Sequence, residues 1–248
     1  MDNRLIFYPI FKPHKNLVAF TTVKKTFAHP APRFTGDTPE IFIENREQLA
    51  SILEINPSQL VFPRQTHTSC VAKLSEKPKK EIKETDALLT NRKNICLCVQ
   101  TADCVPVLLF DPVENVISAI HAGWRGTVNK IVEVAVQKMQ ANYKSKPENI
   151  LAVIGPSIGP EVYEVGREVV EAAQKNIPQS EKTLHKNLNG KFHFNLWEAN
   201  RLLLLCHGLK TKNISIAEEC TFTKTEKYFS ARKEGVDTGR IVTGIMLI

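Results

Sequence analysis

The sequence lacks the segments that would place the chain in a membrane or outside the cell. Its first residues, MDNRLIFYPIF, include Asp2 and contain no basic segment followed by a long apolar run, so no signal peptide is predicted. No stretch approaches the roughly 20 apolar residues that a membrane-spanning helix needs. The six cysteines show no disulfide-framework spacing. We therefore expect free thiols, a cytoplasmic location and no membrane partner.

The features of a nucleic-acid-binding protein are also missing. The formal net charge is +7, but the lysines are scattered along the chain, and the densest group shares segment 76–84 with three glutamates. The sequence contains neither zinc-finger ligand spacing nor a stripe of alternating aromatic and basic residues. The positive charge therefore predicts a solvated basic surface, and no nucleic-acid partner is expected.

There is little that would divide the chain. It has no internal repeat and no clear linker, and its 248 residues suffice for a substantial core. Apolar runs of strand length alternate with segments of helical periodicity. The sequence thus predicts one domain over residues 1–248, of class α/β, with a mixed β-sheet flanked by helices. We expect a monomer or a small homo-oligomer.

The stretch from residue 96 to residue 127 organises this fold. It contains three short apolar runs bounded by turn signals, Cys96–Val99, Val105–Phe110 and Val116–Ile120, and such runs are typical of strands buried on both faces. Polar, reactive side chains stand at the ends of these runs. Because strand ends hold functional groups on a rigid scaffold, the site is expected among Asp103, Cys104, His121 and Arg125.

Two helices are predicted near these strands. The first begins at Thr38-Pro39-Glu40, with Thr38 as cap and Pro39 at the first position, and runs to about residue 55. Its inner stripe is expected to comprise Ile43, Leu49, Ile52 and Leu53. The second follows Gly126 as one amphipathic helix and ends near Tyr143.

Two imidazoles and a thiol form a candidate metal site. His67, Cys104 and His121 each lie where a strand gives way to a turn, and three protein ligands leave one open position, as at a catalytic zinc. Their separations of 37 and 17 residues match no ligand motif. Spacing alone therefore favours a plainer interpretation, in which Cys104 is a small buried apolar residue and the histidines are ordinary core or surface groups. A Cys104–His121 nucleophile pair without metal is a further alternative.

The segment HAGWRGT, residues 121–127, predicts an anion-binding turn. A glycine-flanked turn at a helix start exposes main-chain N–H groups, and Arg125 adds a bidentate cation. The segment matches neither the P-loop nor the dinucleotide-binding fingerprint. Arg64, Asn45 and Arg46 are candidate additional anion contacts, although a solvated surface role is the simpler explanation for each of them.

These residues carry a resemblance to a known family that spans almost the whole chain. The matching motifs are Asn45-Arg46, RQTH (64–67), DALLT (86–90), TADCVPV (101–107), HAGWRG (121–126), IGPSIGP (154–160), YEVG (163–166), LWEAN (196–200) and the segment from Phe229-Ser230 to Thr238-Gly239-Arg240. At these residues the chain resembles the YfiH or laccase-domain family, once described as multicopper polyphenol oxidases and now as purine nucleoside phosphorylases.

The resemblance implies a single α/β domain with metal ligands at His67, Cys104 and His121. It implies zinc as the cofactor, with copper as the alternative metal. The expected reaction is phosphorolysis of adenosine, inosine, guanosine and methylthioadenosine with inorganic phosphate, together with adenosine deamination. The alternatives are a copper-dependent polyphenol oxidase, a metal-free cysteine hydrolase and a non-catalytic metal-binding domain.

The residues can be fitted to these expected reactions. Besides Cys104 and His121, the expected catalytic residues are Arg125, which would hold the phosphate, and Asp103, a candidate acid for the departing base. Further contacts to phosphate or substrate are expected from Asn45, Arg46, Arg64 and Gln65. The chain departs from the family pattern at Ser157, where many members have cysteine, and at Ala231-Arg232, where Tyr-Arg is usual.

Overall fold

The computed structural model describes residues 4–36, 40–187 and 189–248. Within these ranges the strands, in chain order, are β1 (Leu5–Phe7), β2 (Leu17–Thr22), β3 (Leu60–Val61), β4 (Val71–Lys73), β5 (Ala87–Thr90), β6 (Cys96–Thr101), β7 (Val105–Asp111), β8 (Val116–Ala122), β9 (Leu151–Ile154), β10 (Glu164–Val165), β11 (Leu184–Lys186), β12 (Phe192–Phe194), β13 (Ile214–Ile216) and β14 (Ile241–Leu247).

The helices of the same ranges are α1 (Glu40–Ile52), α2 (Trp124–Val128), α3 (Ile131–Tyr143), α4 (Arg167–Asn176), α5 (Leu196–Cys206) and α6 (Ala231–Glu234). Short 3₁₀ turns lie at Pro9–Phe11, Lys24–Thr26, Pro57–Gln59, Pro147–Asn149, Ser180–Lys182 and Thr211–Asn213. No helix of the described ranges is long and apolar enough to cross a membrane.

Two mixed sheets stack on one another. The five-stranded sheet has the order β1-β2-β14-β6-β3, and the six-stranded sheet has the order β13-β9-β7-β8-β5-β4. Each combines antiparallel pairs with parallel ones, such as β3 with β6 and β4 with β5. A small sheet, β10-β12-β11, stands beside them. The α/β class and the mixed pairing are confirmed, but the chain forms stacked sheets where one sheet was predicted.

The alternation of side chains along the central strands explains the stacking. In β6, Leu97 and Val99 pack between the sheets, whereas Cys96 and Cys98 face the layer that contains α1. In β7, Leu108 and Phe110 pack between the sheets, while neighbouring residues face α3 and α5. Successive side chains of a strand point to opposite faces, so strands covered on both faces are apolar throughout. The result is a layered order of helix, sheet, sheet and helices.

Two helix predictions need correction. The predicted cap Thr38 and first residue Pro39 lie outside the described residues. Ile43 is half exposed rather than on the inner stripe, because α1 turns the face carrying Leu49 toward the sheet. The predicted helix after Gly126 is two helices, since Lys130 adopts a left-handed backbone conformation with φ 60° that interrupts the helical ladder between α2 and α3.

The chain crosses between the two sheets beside the candidate site. One crossing joins β3 of the five-stranded sheet to β4 of the six-stranded sheet and contains His67. Another joins β6 to β7 and contains Asp103 and Cys104. His121 lies in β8, where it is paired with Pro106 of β7. The fold thus brings these segments together at one end of the stacked sheets.

Candidate functional site

His67, Cys104 and His121 form a compact cluster. One ligand atom from each lies within 4.8 Å of the others, and Cys104 Sγ is 3.8 Å from His67 Nε2. His121 is buried, and His67 is exposed. In a tetrahedral zinc site, bond lengths of about 2.0–2.3 Å separate ligand atoms by roughly 3.3–3.6 Å. The donor set therefore fits a zinc ion with three protein ligands and one open position, and the three atoms would have to approach one another slightly to bind it.

Gly123 makes this close approach possible. A Cβ atom added to it would lie 2.9 Å from Cys104 Sγ and 3.1 Å from His67 Cδ2. Both distances are shorter than ordinary carbon contacts, so a side chain here would push two candidate ligands away. His67 and Asp103 also have positive φ values, 62° and 87°, which are uncommon for residues other than glycine. The main chain is thus bent sharply on both sides of the cluster.

Asp86 connects the two histidines. Its Oδ1 lies 2.7 Å from His121 Nδ1 and accepts the main-chain N–H of His67 at 3.0 Å. Its Oδ2 accepts the main-chain and hydroxyl donors of Thr68, each at 2.8 Å. A carboxylate on one ring nitrogen fixes the histidine tautomer and leaves the other nitrogen for a metal. Asp86 therefore directs His121 Nε2 toward the cluster.

The charges of these groups reinforce one another. Burial alone would raise the pKa of the Cys104 thiol, but His121 and His67 outweigh this effect and lower the pKa to about 6. Burial would lower the pKa of His121, yet Cys104 and Asp86 raise it above its usual value. Burial would raise the pKa of Asp86, but its bonds to His121 and Thr68 lower it to about 2. The thiolate form, which binds metals, is favoured.

The cluster opens into a cavity of about 750 Å³. Apolar and aromatic surface comes from Trp124, Ile158 and Tyr163. Charged surface comes from four arginines and one aspartate, namely Arg33, Arg64, Arg232, Arg240 and Asp103. The size is that of a small-molecule site, and the excess of guanidinium groups makes the cavity attractive to anions.

Asp103 lines this cavity, and its carboxylate accepts hydrogen bonds from two other segments of the chain. Its Oδ1 accepts the Thr221 hydroxyl at 2.7 Å, and its Oδ2 accepts the main-chain N–H of Arg232 at 2.7 Å. Its own carbonyl accepts the main-chain N–H of Ile158 at 2.9 Å. Hydrogen bonds from two other segments therefore reach both oxygens of the Asp103 carboxylate. This arrangement suits a positioning role, and the role of general acid stays a prediction.

Arg64 and Gln65 both line the cavity, but their side chains have different partners. Arg64 Nη1 lies 3.7 Å from Glu81 Oε2. The Gln65 amide donates to the carbonyl of Gln100 and accepts its N–H, both at 2.9 Å. Gln65 therefore ties its loop to the end of β6, and its amide is occupied by main-chain groups.

Asn45 and Arg46 are not brought to the cluster. Asn45 Nδ2 donates to the carbonyl of Arg33 at 3.1 Å, and Arg46 Nε donates to the carbonyl of Phe34 at 2.8 Å. The Arg46 guanidinium also stacks on the Phe62 ring, 5.0 Å from its centre. Both side chains hold the segment at residues 33–34, and their contact with phosphate stays a prediction.

Arg125 follows Trp124, which lines the cavity, but is itself not among the described residues that line it. Its guanidinium is exposed and stacks over the Trp124 ring, 4.2 Å from the centre. It belongs to α2, which has five residues and is capped by Gly123 without a side-chain hydrogen bond. Its charge lies close enough to oppose the rise in the Tyr163 pKa that burial causes. The residue is thus near the site, but its guanidinium faces solvent.

With this geometry in place, a comparison with known families identifies the chain. A family model described as multi-copper polyphenol oxidoreductase laccase matches residues 31–248. The chain belongs to this family. The laccase-domain resemblance of the sequence motifs is thereby confirmed.

Relatives within the laccase-domain family bear enzyme names. A purine nucleoside phosphorylase from Bacteroides thetaiotaomicron is 35% identical over an alignment of 262 positions, covering 99% of this chain and 97% of the relative. An adenosine deaminase, RL5, from an unknown prokaryotic organism is 35% identical over 221 residues, covering 86% and 84%. The crystal structure of YfiH from Bacillus licheniformis matches with a TM-score of 0.90 and 30% identity, covering 99% and 97%.

Sequence reasoning missed four residues that shape this laccase-domain site. Asp86 stands at the start of the quoted DALLT motif, but it received no role there. Tyr163 and Arg240 stand in the quoted motifs, but without an assigned role. Arg33 lies in a loop that offers no local signal. All four reach the site through long-range packing, which motif spacing does not report.

Proposed function

We propose that the chain is a zinc-dependent purine nucleoside phosphorylase with adenosine deaminase activity. The observation that carries the proposal is the His67, Cys104 and His121 cluster, open to a cavity of about 750 Å³. The names of the relatives support the same reactions, since the phosphorylase relative is aligned along 99% of the chain. Adenosine, inosine, guanosine and methylthioadenosine are the proposed substrates, with inorganic phosphate as the second substrate.

The walls of the cavity suit a nucleoside. Trp124 and Tyr163 present aromatic surface, and Ile158 adds an apolar side chain. A purine is a flat aromatic group, and aromatic pairs are stabilised by offset or edge contacts. The Tyr163 hydroxyl has no hydrogen-bond partner among the described residues, and burial raises its pKa well above the usual value. It therefore stays protonated and is free to donate a hydrogen bond to the purine or the ribose.

The chain's own residues would bind and orient the reactants. Asp86 holds both histidines, and Gly123 leaves room for the three ligands to approach one another. Bound zinc would supply a Lewis acid beside the nucleoside. The cavity arginines would attract phosphate and stabilise the negative charge that it carries. Asp103 would keep the segments of Ile158 and Arg232 in place around the substrates.

Two rival functions follow from specific features. One is a copper oxidase, because the family description names multi-copper oxidoreductases. A laccase uses several copper ions, however, and the cluster offers three ligands to a single ion. The 3.8 Å approach of Cys104 to His67 and the lowered thiol pKa would also suit a cysteine nucleophile. Metal dependence separates this second rival from the proposal.

The deciding experiment combines metal analysis with product detection. Purified protein is expected to contain about one zinc per chain and to release ribose 1-phosphate from inosine only when phosphate is present. Adenosine is expected to yield inosine without phosphate. Chelation should abolish both reactions, and added zinc should restore them. A chelator-resistant activity that alkylation destroys would establish the cysteine nucleophile instead, and several coppers per chain with phenol oxidation would establish the oxidase.

A further inference from the structure

Two arginines from distant parts of the sequence meet on the cavity wall. Arg33 Nη2 donates to the carbonyl of Val236 at 2.9 Å, and Arg240 Nη2 donates to the same carbonyl at 3.1 Å. Both residues line the cavity that contains the His67, Cys104 and His121 cluster. One carbonyl oxygen therefore brings two positive side chains together beside the candidate metal site.

The main chain around residues 236–240 fixes the position of Arg240. Its Nη1 also donates to the carbonyls of Thr238 and Gly239. The main-chain N–H of Arg240 donates to the carbonyl of Pro32 at 2.9 Å, which ties this segment to the one that holds Arg33. A guanidinium held by main-chain groups is preorganised, so little side-chain freedom is lost when it binds a ligand.

The pair lacks a carboxylate partner. Among the described residues, no acidic side chain lies within ion-pair distance of Arg33 or Arg240. Burial and then the charge of Arg33 lower the pKa of Arg240 to about 10, while Asp237, Asp103 and Cys104 only partly offset them. Two like charges in a half-buried position are costly unless an anion compensates them. The wall therefore favours a negatively charged ligand.

We infer that Arg33 and Arg240 form the binding site for the phosphate dianion that attacks the nucleoside. Guanidinium groups bind phosphate oxygens through paired N–H donors, and two of them match a doubly charged ion. The inference rests on the proposed function for the role of phosphate as nucleophile. It assigns the phosphate to the inner wall of the cavity, in place of Arg125, which faces solvent.

Variants at both positions test the assignment. Arg33→Gln removes one positive charge and a single hydrogen bond to the main chain, whereas Arg240→Gln removes three and carries a larger risk to the fold. Arg33→Lys keeps the charge without the paired donors. The matched control is Arg92→Gln, because Arg92 follows β5 at the end opposite His121 and donates to the carbonyl of Ser75.

The first measurement is the phosphate dependence of ribose 1-phosphate formation. Arg33→Gln is expected to raise the phosphate KM at least tenfold, because a hydrogen bond to a charged group contributes about one to two orders of magnitude in affinity. The phosphate KM of Arg33→Lys should lie between that of Arg33→Gln and that of the unaltered protein. The inosine KM and the zinc content should change less than threefold, and Arg92→Gln should match the unaltered protein throughout.

The second measurement is independent of turnover. Inorganic phosphate should raise the melting temperature of the zinc-loaded protein, and Arg33→Gln should lose this shift. If the unaltered protein makes no ribose 1-phosphate but shows an arginine-dependent shift, the anion site stands and the proposed function is wrong. If Arg33→Gln and a folded Arg240→Gln both keep the phosphate KM and the shift, the inference is overturned.

A nucleoside 5′-phosphate is the other source of a phosphate group. Inosine 5′-monophosphate serves as its probe in the same melting experiment. Should the arginine variants lose the shift caused by this nucleotide while keeping that caused by inorganic phosphate, the pair binds a substrate phosphate and the assignment to the nucleophile is overturned.

Discussion

Asp86 Oδ1 lies 2.7 Å from His121 Nδ1, and the same oxygen accepts the main-chain N–H of His67 at 3.0 Å. A single carboxylate oxygen therefore holds both candidate histidine ligands. It fixes the ring of one and the loop of the other. Asp86 comes immediately before β5, whose pairing with β8 places it beside His121. The positions of the two histidines in the candidate metal site thus depend on the pairing of β5 with β8.

Replacing Asp86 with asparagine should weaken zinc binding. An amide cannot keep the charge that stabilises the His121 ring, and changes to groups that orient metal ligands cost about 10–100-fold in affinity. Competition with a chromophoric chelator measures the loss. Asp111→Asn is the control, because Asp111 is a buried carboxylate at the opposite end of β7. Unchanged zinc affinity in Asp86→Asn would show that the carboxylate only supports the loop.

Replacing Cys104 with alanine should remove the bound zinc while the fold survives. The thiolate is one of three proposed ligands, so stoichiometric zinc, about one equivalent, should be lost. Elemental analysis measures the metal, and circular dichroism reports the fold. Cys70→Ala is the control, since Cys70 is exposed and lies outside the cluster. Retention of full zinc by Cys104→Ala would exclude Cys104 as a ligand.

Replacing Tyr163 with phenylalanine should lower kcat/KM for nucleosides. If the hydroxyl donates to the substrate, its loss costs roughly 0.5–1.5 kcal/mol, or about 2- to 13-fold. The fold should not suffer, because the described residues offer this hydroxyl no partner. Tyr143→Phe, at the end of α3, serves as the control. Identical kinetics in both variants would mean that only the aromatic ring of Tyr163 matters.

Replacing Arg125 with alanine should reduce phosphorolysis only slightly, about fivefold or less. Interactions of exposed charges contribute about 0–1 kcal/mol because water screens them. Deamination of adenosine, which needs no phosphate, should change as little. Steady-state kinetics with varied phosphate provides the test. A loss of tenfold or more in kcat/KM for phosphate alone would show that phosphate binds at the HAGWRGT turn of residues 121–127, as the sequence suggested.

The sequence predicted the strands that frame the site because their signals are local. The runs that became β6, β7 and β8 are apolar and bounded by turns. The stacking of the two sheets could not be predicted from these apolar runs. A strand that is buried on both faces is apolar throughout, whether a helix or a second sheet covers it. The exposure of Ile43 and the break at Lys130 depend on how α1 and α3 pack. The helical periodicity of the sequence does not reveal this packing.

The candidate site was predictable where a motif identified it and hidden where distant segments build it. The HAGWRG and TADC motifs led to His121 and Cys104. The pair of Arg33 and Arg240 is separated by more than two hundred residues and joined by one carbonyl. The chemistry of Asn45 and Arg46 suggested phosphate contacts, but did not reveal that both side chains donate to main-chain carbonyls of residues 33–34.

The two crossings between the sheets have a mechanical consequence. His67 and Cys104 stand on segments that each leave one sheet and enter the other, so the distance between the sheets sets the separation of the proposed ligands. A metal ion bound by His67 and Cys104 would hold the two stacked sheets together. The interlayer residue Ile117 lies in the same strand as His121 and packs between the sheets. Metal affinity would therefore report how tightly the core is packed, even for changes that touch no ligand.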